Sequence, residues 1–351
     1  MPQPRLGVGF IGAGAVTQAI HLPTLARLTA EFEIRQVFDV DADVASSVAA
    51  RVGASATTSL EQLLDDETVE VVAVCSPHHL HASQVIAACR AGKRAVLCEK
   101  PFATTADQAA EIAAVATETR VPVLVGAMHT FDPAWKAAVD GWGDLASSAV
   151  AIRSSIVLPP NPRFEDVATE VTGRTADAHV APTPVAQHAQ LLHDLVMGLT
   201  IHDLPLIRTV LPDFADLTVL EAQVLEPRGY HAVVSVAGRR VELHALISET
   251  WRPSWQLEIT GPTQQLRCEF TPSYVHGGSA VATLHTSAST STFGPFASNG
   301  YEAEWRELGE IARGHRPAPD PGGLVDDLRF AITLADAFAA AISDQASGVA
   351  A

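Results

Sequence analysis

Lysine is nearly absent: Lys93, Lys100 and Lys136 are the only three in 351 residues. The other basic side chains are arginine, a bias that with the abundant alanine reflects GC-rich coding and not a mechanism. Positive charge is scarce altogether, with 23 Lys and Arg against 40 Asp and Glu and a formal net charge of -17. Such a chain repels polyanions, which argues against DNA, RNA or an anionic membrane as its main partner. A single phosphorylated cofactor is not excluded, because backbone N–H groups at a helix N-terminus hold phosphate locally. Cysteine is sparse too. Cys75, Cys89, Cys98 and Cys268 contain no C-x-x-C pair, so no structural zinc site is indicated. The low count suits a reducing cytoplasm. No uninterrupted apolar stretch reaches the roughly 20 residues that a membrane helix needs. Arg5 before the apolar run 6–16 has the outline of a signal peptide, but Gly9, Gly12 and Gly14 interrupt it. A strand followed by a glycine turn fits better. The protein is expected to be soluble and cytoplasmic.

What is present builds a core. Hydrophobic residues make up 47% and charged residues 18%, which argues against disorder. The length suits one large or two medium domains. Residues 6–11, 34–40, 69–75, 95–98 and 121–125 read as buried strands, alternating with helical patterns at 17–28, 43–52, 81–90 and 107–119. A repeated βα pattern implies a parallel sheet covered by helices. After Gly126 the pattern changes. Strands are expected at 149–157, 217–225, 232–236, 241–247, 255–260 and 265–270. A Pro-, Thr- and Asp-rich loop is expected at 159–184, one helix at 185–211, and closing helices at 302–313 and 324–343. The run 276–297 is ambiguous. The fold class is therefore α/β. A doubly wound parallel sheet occupies residues 1–127. Residues 128–351 form an α+β domain with an open, mostly antiparallel sheet, the last helices packing near the first domain.

Four local patterns carry chemistry. Gly12-Ala13-Gly14-Ala15-Val16-Thr17 follows a strand and opens a helix. Gly12 permits the tight turn, and Gly14 lets the backbone approach a pyrophosphate met by the helix N-terminus. Thr17 stands where a third glycine or alanine is usual, which predicts looser helix–strand packing. Asp39 ends the second strand. A carboxylate there accepts ribose hydroxyls and repels a 2′-phosphate, favouring NAD over NADP. Ser76, Pro77 and His81 follow the strand 69–75, at the edge where doubly wound sheets bind ligands. Three histidines in four residues raise the question of metal, but no carboxylate or cysteine completes a set, so no metal is expected. Last, Glu99-Lys100-Pro101 places a charged pair after a buried strand.

In this order these patterns resemble the Gfo/Idh/MocA oxidoreductase family, with E-K-P the most specific part. The likeness continues in Gly126-Ala127-Met128-His129-Thr130-Phe131-Asp132-Pro133 and in Tyr301-Glu302-Ala303-Glu304-Trp305. The resemblance implies an N-terminal Rossmann domain and a second domain whose open sheet makes subunit contacts, in a homodimer or homotetramer. It also implies hydride transfer between NAD and a hydroxyl of a sugar, inositol or related polyol. Lys100 would hydrogen-bond the reacting oxygen and help move its proton. Glu99 would orient Lys100 near the nicotinamide side, and His81 with Ser76-Pro77 would border the cofactor.

The family's second-domain motif D-x-G-x-H-x-x-D matches here only at His202, because Gly198, Thr200 and Pro205 occupy its other positions. An imidazole with an ordinary pKa near 6.5 suits proton transfer. On a continuous helix Asp194 lies about 12 Å away, and Asp203 points to another side. His188 and His193 read as lid or surface residues. Thr130 stands where many relatives have Arg, which disfavours a negatively charged substrate. Trp135, Phe131 and the histidines suit a sugar ring or a more apolar polyol. Two other functions stay open. One is transient redox, in which bound NAD oxidises a sugar so that epimerisation, elimination or glycosidic cleavage follows. The other is a non-catalytic NAD-binding protein.

Overall fold

The computed structural model describes residues 4–174 and 184–348. They divide between two compact units. The first comprises Met1–Gly126, Phe164–Asp177 and Tyr301–Leu328, and the second Ala127–Arg163, Ala178–Gly300 and Arg329–Ala351.

The first unit is built on strands β1 (Leu6–Ile11), β2 (Phe32–Phe38), β3 (Ser55–Thr57), β4 (Val71–Val74), β5 (Ala95–Glu99) and β6 (Val123–Gly126). They form one sheet in the order β3-β2-β1-β4-β5-β6, and every pairing is parallel. β1, β4 and β5 are buried at every residue, as a sheet covered on both faces requires. The connecting helices are α1 (Leu22–Ala26), α2 (Ala42–Val52), α3 (Leu60–Asp65), α4 (His78–Arg90) and α5 (Ala106–Thr119). Their caps are local. Asp41 accepts from the N–H groups of Asp43 and Val44, while Gly53 closes α2 at φ +70°, the left-handed conformation that glycine adopts without strain. Ser59 and Thr105 cap α3 and α5 through their side chains.

Three short helices, α6 (Met128–Phe131), α7 (Pro133–Gly141) and α8 (Leu145–Ser148), open the next region of the chain. The second unit's sheet comprises β7 (Ala151–Leu158), β8 (Thr218–Leu225), β9 (Arg228–Val236), β10 (Arg239–Ile247), β11 (Ser254–Thr260), β12 (Gln264–Glu269), β13 (Val281–Thr286) and β14 (Thr290–Phe293). Its order is β14-β13-β12-β11-β7-β10-β9-β8. Only β7 and β10 pair in parallel; the rest is antiparallel. Along β7, Ile152, Ser154, Ile156 and Leu158 are buried while Arg153 is exposed. Arg153 lies beside Glu242 and Glu258 on its two neighbouring strands. One face is thus core, with α7 against β13 and β14, and the other is polar.

The structure departs from the sequence reading in several places. The single helix expected at 185–211 is interrupted. A 3₁₀ turn at Val185–Gln187 leads into α10 (His188–Gly198), a second 3₁₀ turn spans Thr200–His202, and α11 (Leu204–Arg208) follows. Pro205 sits in the first turn of α11, where its missing N–H is harmless; inside a continuous helix it would clash with the preceding turn. The loop expected at 159–184 contains the helix α9 (Pro162–Ala168), and its residues 175–183 lie outside the described residues. The ambiguous run 276–297 supplies β13 and β14. Helices α12 (Gly300–Ala312) and α13 (Pro321–Gly348) close the chain. Among the described residues no helix is long and apolar enough to cross a membrane.

Candidate active site

The end of β1 shows what its glycines are for. Gly12 has φ +95°, and a Cβ there would lie 2.8 Å from Ser76 N and 2.9 Å from the Cys75 carbonyl carbon. Conformation and contact both exclude a side chain. At Gly14 a Cβ would meet nothing within 4 Å, and the residue is exposed. Open space over an exposed glycine is room for a phosphate to reach the backbone. The turn's carbonyls are taken from within: Thr17 Oγ1 donates to Gly12 O at 2.6 Å and Gln18 Nε2 to Ala13 O at 2.7 Å. Gln18 N–H donates to Gly14 O at 3.0 Å. That bond leaves the preceding amides, beside half-buried Ala15 and Val16, at the open end of the helix.

Thr17 does not loosen the packing. It is fully buried, its hydroxyl ties the helix to the turn, and the helix widens into a π turn over Thr17–His21, a distortion frequent at functional sites. The segment 169–174 lies against the same helix. Gln18 donates to Thr172 O and accepts from Thr172 N–H, both at 2.9 Å, and Arg51 donates to Gln18 Oε1 and Thr169 Oγ1.

Asp39 follows β2, half-buried. Its Oδ2 accepts Ala13 N–H at 2.8 Å and its Oδ1 accepts Asp41 N–H at 3.0 Å. The carboxylate therefore ties the end of β2 to the glycine turn. Each oxygen keeps a further lone pair for an incoming hydroxyl. After β4, Ser76 donates to Gln84 Oε1 and Pro77 precedes α4 as its N-cap. His78 and His79 are exposed. His81 is buried: its Nδ1 lies 2.8 Å from Pro101 O and its Nε2 2.7 Å from Ser76 O. It staples the turn after β4 to the turn after β5, and with both nitrogens on carbonyls it does not face a ligand. Among the described residues no group of three or more His, Cys, Asp or Glu is placed to hold a metal.

Glu99 ends β5. Its Oε2 accepts Lys100 N–H at 3.2 Å, and its Oε1 lies 3.0 Å from His21 Nε2. The Trp305 indole N–H donates to His21 Nδ1 at 3.1 Å. Indole only donates, so Nδ1 holds a lone pair and the imidazole proton sits on Nε2, aimed at Glu99. Gly126 makes room, since a Cβ there would lie 3.2 Å from Glu99 Oε1. Burial would push the Glu99 carboxyl up, but the His21 hydrogen bond, the Lys100 charge and the Lys100 N–H hold it below the usual range. Burial lowers the proton affinity of Lys100, and the Glu99 charge opposes that loss. Glu304, beside Trp305, is 1% exposed, and neither carboxyl oxygen has a hydrogen-bond partner. Burial first and the Glu99 charge second push it well above the usual range. His21, Trp305 and Glu304 escaped the site reading. The only sequence signal for the last two was the family-like run at 301–305.

In the second unit His202 is buried, its ring edge-on to Trp255 at 5.3 Å and 5.9 Å from the ring of His129. The sequence places Asp203 on another side of one continuous helix. It is fully buried, in the bend between the 3₁₀ turn and α11. Its Oδ1 takes His129 Nδ1–H at 2.9 Å and Trp255 Nε1–H at 2.9 Å. Its Oδ2 takes Ser154 Oγ–H at 2.6 Å, with Trp255 Nε1 at 3.0 Å. The expected side of Asp203 assumed one continuous helix, and the break before α11 removes that assumption.

Comparison with known proteins agrees with this arrangement. Residues 6–127 match the oxidoreductase family with an NAD-binding Rossmann fold, Gfo/Idh/MocA. Inositol 2-dehydrogenase 3 of Saccharopolyspora erythraea is 39% identical over 130 residues, which span 37% of this chain and 38% of that relative. Among solved structures, UDP-N-acetylglucosamine 3-dehydrogenase from Acidithiobacillus ferrooxidans covers 96% of this chain and 100% of its own at a TM-score of 0.71 and 20% identity. A 3-ketoreductase from Actinomadura kijaniata, solved with NADP and TDP-benzene, covers 95% and 96% at a TM-score of 0.69 and 21% identity. These structures share the two-sheet fold along nearly the whole length. The match to the oxidoreductase family with an NAD-binding Rossmann fold, Gfo/Idh/MocA, thus rests on residues 6–127, and the likeness beyond them is one of fold.

Proposed function

We propose that this chain is a dehydrogenase or ketoreductase that moves a hydride between NAD and a hydroxyl or keto carbon of a sugar, inositol or related polyol. The carrying observation is the order of groups along one sheet edge. Strands β2, β1, β4 and β5 lie side by side, so Asp39, the glycine turn, Ser76-Pro77 and Glu99-Lys100 follow one another. Three strand spacings of about 4.8 Å carry that edge roughly 14 Å from β2 to β5, room for a dinucleotide lying along it. The open space at Gly14 and the spare lone pairs of Asp39 fit such a cofactor.

Asp39 would take the adenosine ribose, residues 12–16 the pyrophosphate, and Glu99 and Lys100 the nicotinamide end. When bound, the nicotinamide supplies a two-electron hydride acceptor or donor. Lys100 hydrogen-bonds the reacting oxygen and polarises it. Burial lowers its proton affinity, which eases proton exchange with that oxygen. Glu99, fixed by His21 and Trp305, holds negative charge beside the amine. The carboxylate of Asp39 supports NAD over NADP. A neutral polyol is supported by Thr130 and by a relative named for inositol. The low cysteine count supports a cytoplasmic location, and the polar face of the second sheet is the surface a homodimer or homotetramer would share.

Calorimetric titration with oxidised and reduced NAD and NADP tests the cofactor. Single-turnover reduction of bound NAD with a panel of inositols and sugar nucleotides tests the chemistry. The expected results are tighter binding of NAD and a hydride rate that falls by about 10²-fold or more in Lys100→Ala. Binding of neither cofactor, or an unchanged rate in Lys100→Ala, refutes the assignment.

A further inference from the structure

In the first unit one side chain joins the glycine turn to a segment from far along the chain. Gln18 is fully buried, and its amide makes four hydrogen bonds, which fills both donors and both lone pairs. Nε2 donates to Ala13 O at 2.7 Å and to Thr172 O at 2.9 Å. Oε1 accepts from Thr172 N–H at 2.9 Å and from Arg51 Nη1 at 2.7 Å. A backbone N–H and a guanidinium only donate, so the amide has one orientation. Arg51, in the last turn of α2, reaches the same segment at Glu170 O, 3.1 Å, and Thr169 Oγ1, 2.6 Å. Gly173 has φ +73°, and a Cβ there would lie 2.6 Å from Val44 Cγ2. The segment therefore presses on the first turn of α2 as closely as glycine allows. All of these residues belong to the first unit. The turn feels the segment through one peptide group. Asp39 holds Ala13 N–H, and Gln18 holds Ala13 O. In a trans peptide the Ala13 carbonyl and the Gly14 N–H point in opposite directions. Gln18 thus also sets the direction of the Gly14 N–H.

We propose that residues 169–174 are a clasp on the cofactor turn, held by Gln18 and Arg51, and that docking of the clasp and binding of the dinucleotide strengthen each other. The clasp rests on the reading of residues 12–16 as the pyrophosphate site. Gln18 and Arg51 are positioning residues, because they act through the turn and need not touch the cofactor. The docked segment completes the Gln18 amide, the amide holds Ala13 O, and that carbonyl aims the Gly14 N–H for a phosphate oxygen to accept. Undocking takes both Thr172 bonds from Gln18 and leaves a buried amide half-paired, which is unfavourable. Gln18 then leaves its place on Ala13 O, and the turn loses its preset shape. Coupling of this kind is reciprocal: by whatever factor the clasp tightens the dinucleotide, the dinucleotide tightens the clasp. A site held in shape retains its ligand mainly through a slower escape, so the effect falls on the off-rate.

Two variants loosen the clasp without altering the turn. Arg51→Ala removes the bonds to Glu170 and Thr169. Gly173→Ala forces a Cβ onto φ +73° and against Val44. Amide hydrogen exchange across 169–174 is followed in the wild type and both variants, with and without NAD. Stopped-flow fluorescence gives the on- and off-rates of NADH, and thermal melting checks that the variants are folded. The expected result is exchange at 169–174 slowed about tenfold by NAD in the wild type, and an NADH off-rate about tenfold faster in both variants, with little change in the on-rate. Exchange that NAD leaves unchanged, or off-rates within about twofold of wild type in both variants, lies below the size of such coupling. Either result overturns the inference and leaves the cofactor reading standing. Failure of the wild type to bind NAD and NADP removes that reading and the inference together.

Discussion

Asp39→Asn isolates a charge with almost no change of shape. A 2′-phosphate of about two negative charges, some 6 Å from the carboxylate, meets a repulsion of ~1.4 kcal/mol at the dielectric of water and ~5.5 kcal/mol at an effective dielectric near 20. Asp39 is half-buried, and ordinary salt screens such a pair, so the lower figure governs. Even that is about tenfold in the ratio of NAD to NADP affinity. The substitution also has a structural cost. Asp39 accepts two backbone N–H groups, from Ala13 at 2.8 Å and Asp41 at 3.0 Å. The asparagine amide has one acceptor oxygen, so one N–H loses its partner at a cost of roughly 1–3 kcal/mol. That cost weakens both cofactors alike and cancels in the ratio. Calorimetric titration of wild type and variant with both cofactors, repeated at high salt, should show the NAD preference falling by about tenfold in the variant and shrinking with salt in the wild type. A ratio that is unchanged in Asp39→Asn refutes the electrostatic account of selectivity, whatever happens to the absolute affinities.

The two glycines of the turn should separate fold from binding. Gly12→Ala forces a side chain onto φ +95° with a contact of 2.8 Å to Ser76 N, and should lower the melting temperature by roughly 3–10 °C. Gly14→Ala meets nothing within 4 Å. It should melt within about 1 °C of wild type, as surface substitutions do, yet bind NAD less tightly; equal melting losses in the two variants would refute the distinction. Lys100→Met tests the cost of burying the amine. The folded pKa of Lys100 is lowered, chiefly by burial. Lys100 therefore contributes stability above its unfolded pKa, and that stability is lost as pH falls through the lowered folded value. Removing the amine should raise the melting temperature more at pH 6 than at pH 10, and a gain that grows with pH would contradict the burial.

How much of this was legible in the sequence follows from how far each feature reaches along the chain. The glycine turn, Asp39 and the Glu99–Lys100 pair each end a buried strand, and an apolar run with its punctuation is a local signal. Their order along one edge then follows from the βα alternation, because parallel strands need crossovers of fixed hand. The same logic gave no hint of the contacts His81 makes. Its position after β4 suggested a residue bordering the cofactor, and its ring also joins two loops through Ser76 O and Pro101 O. His21 was invisible because its partners, Glu99 and Trp305, stand 78 and 284 positions away. In the second unit the same limit hid a buried hydrogen-bond cluster. The sequence motif pointed at His202, one residue from Asp203, and an unbroken helix would have sent that carboxylate elsewhere. Pro205 and the 3₁₀ turn over Thr200–His202 instead bring Asp203 under His129, 74 positions earlier. His129, in the short helix α6 after β6, carries no pattern that marks it as the partner of a buried carboxylate. That pairing is made by the break in the helix before α11.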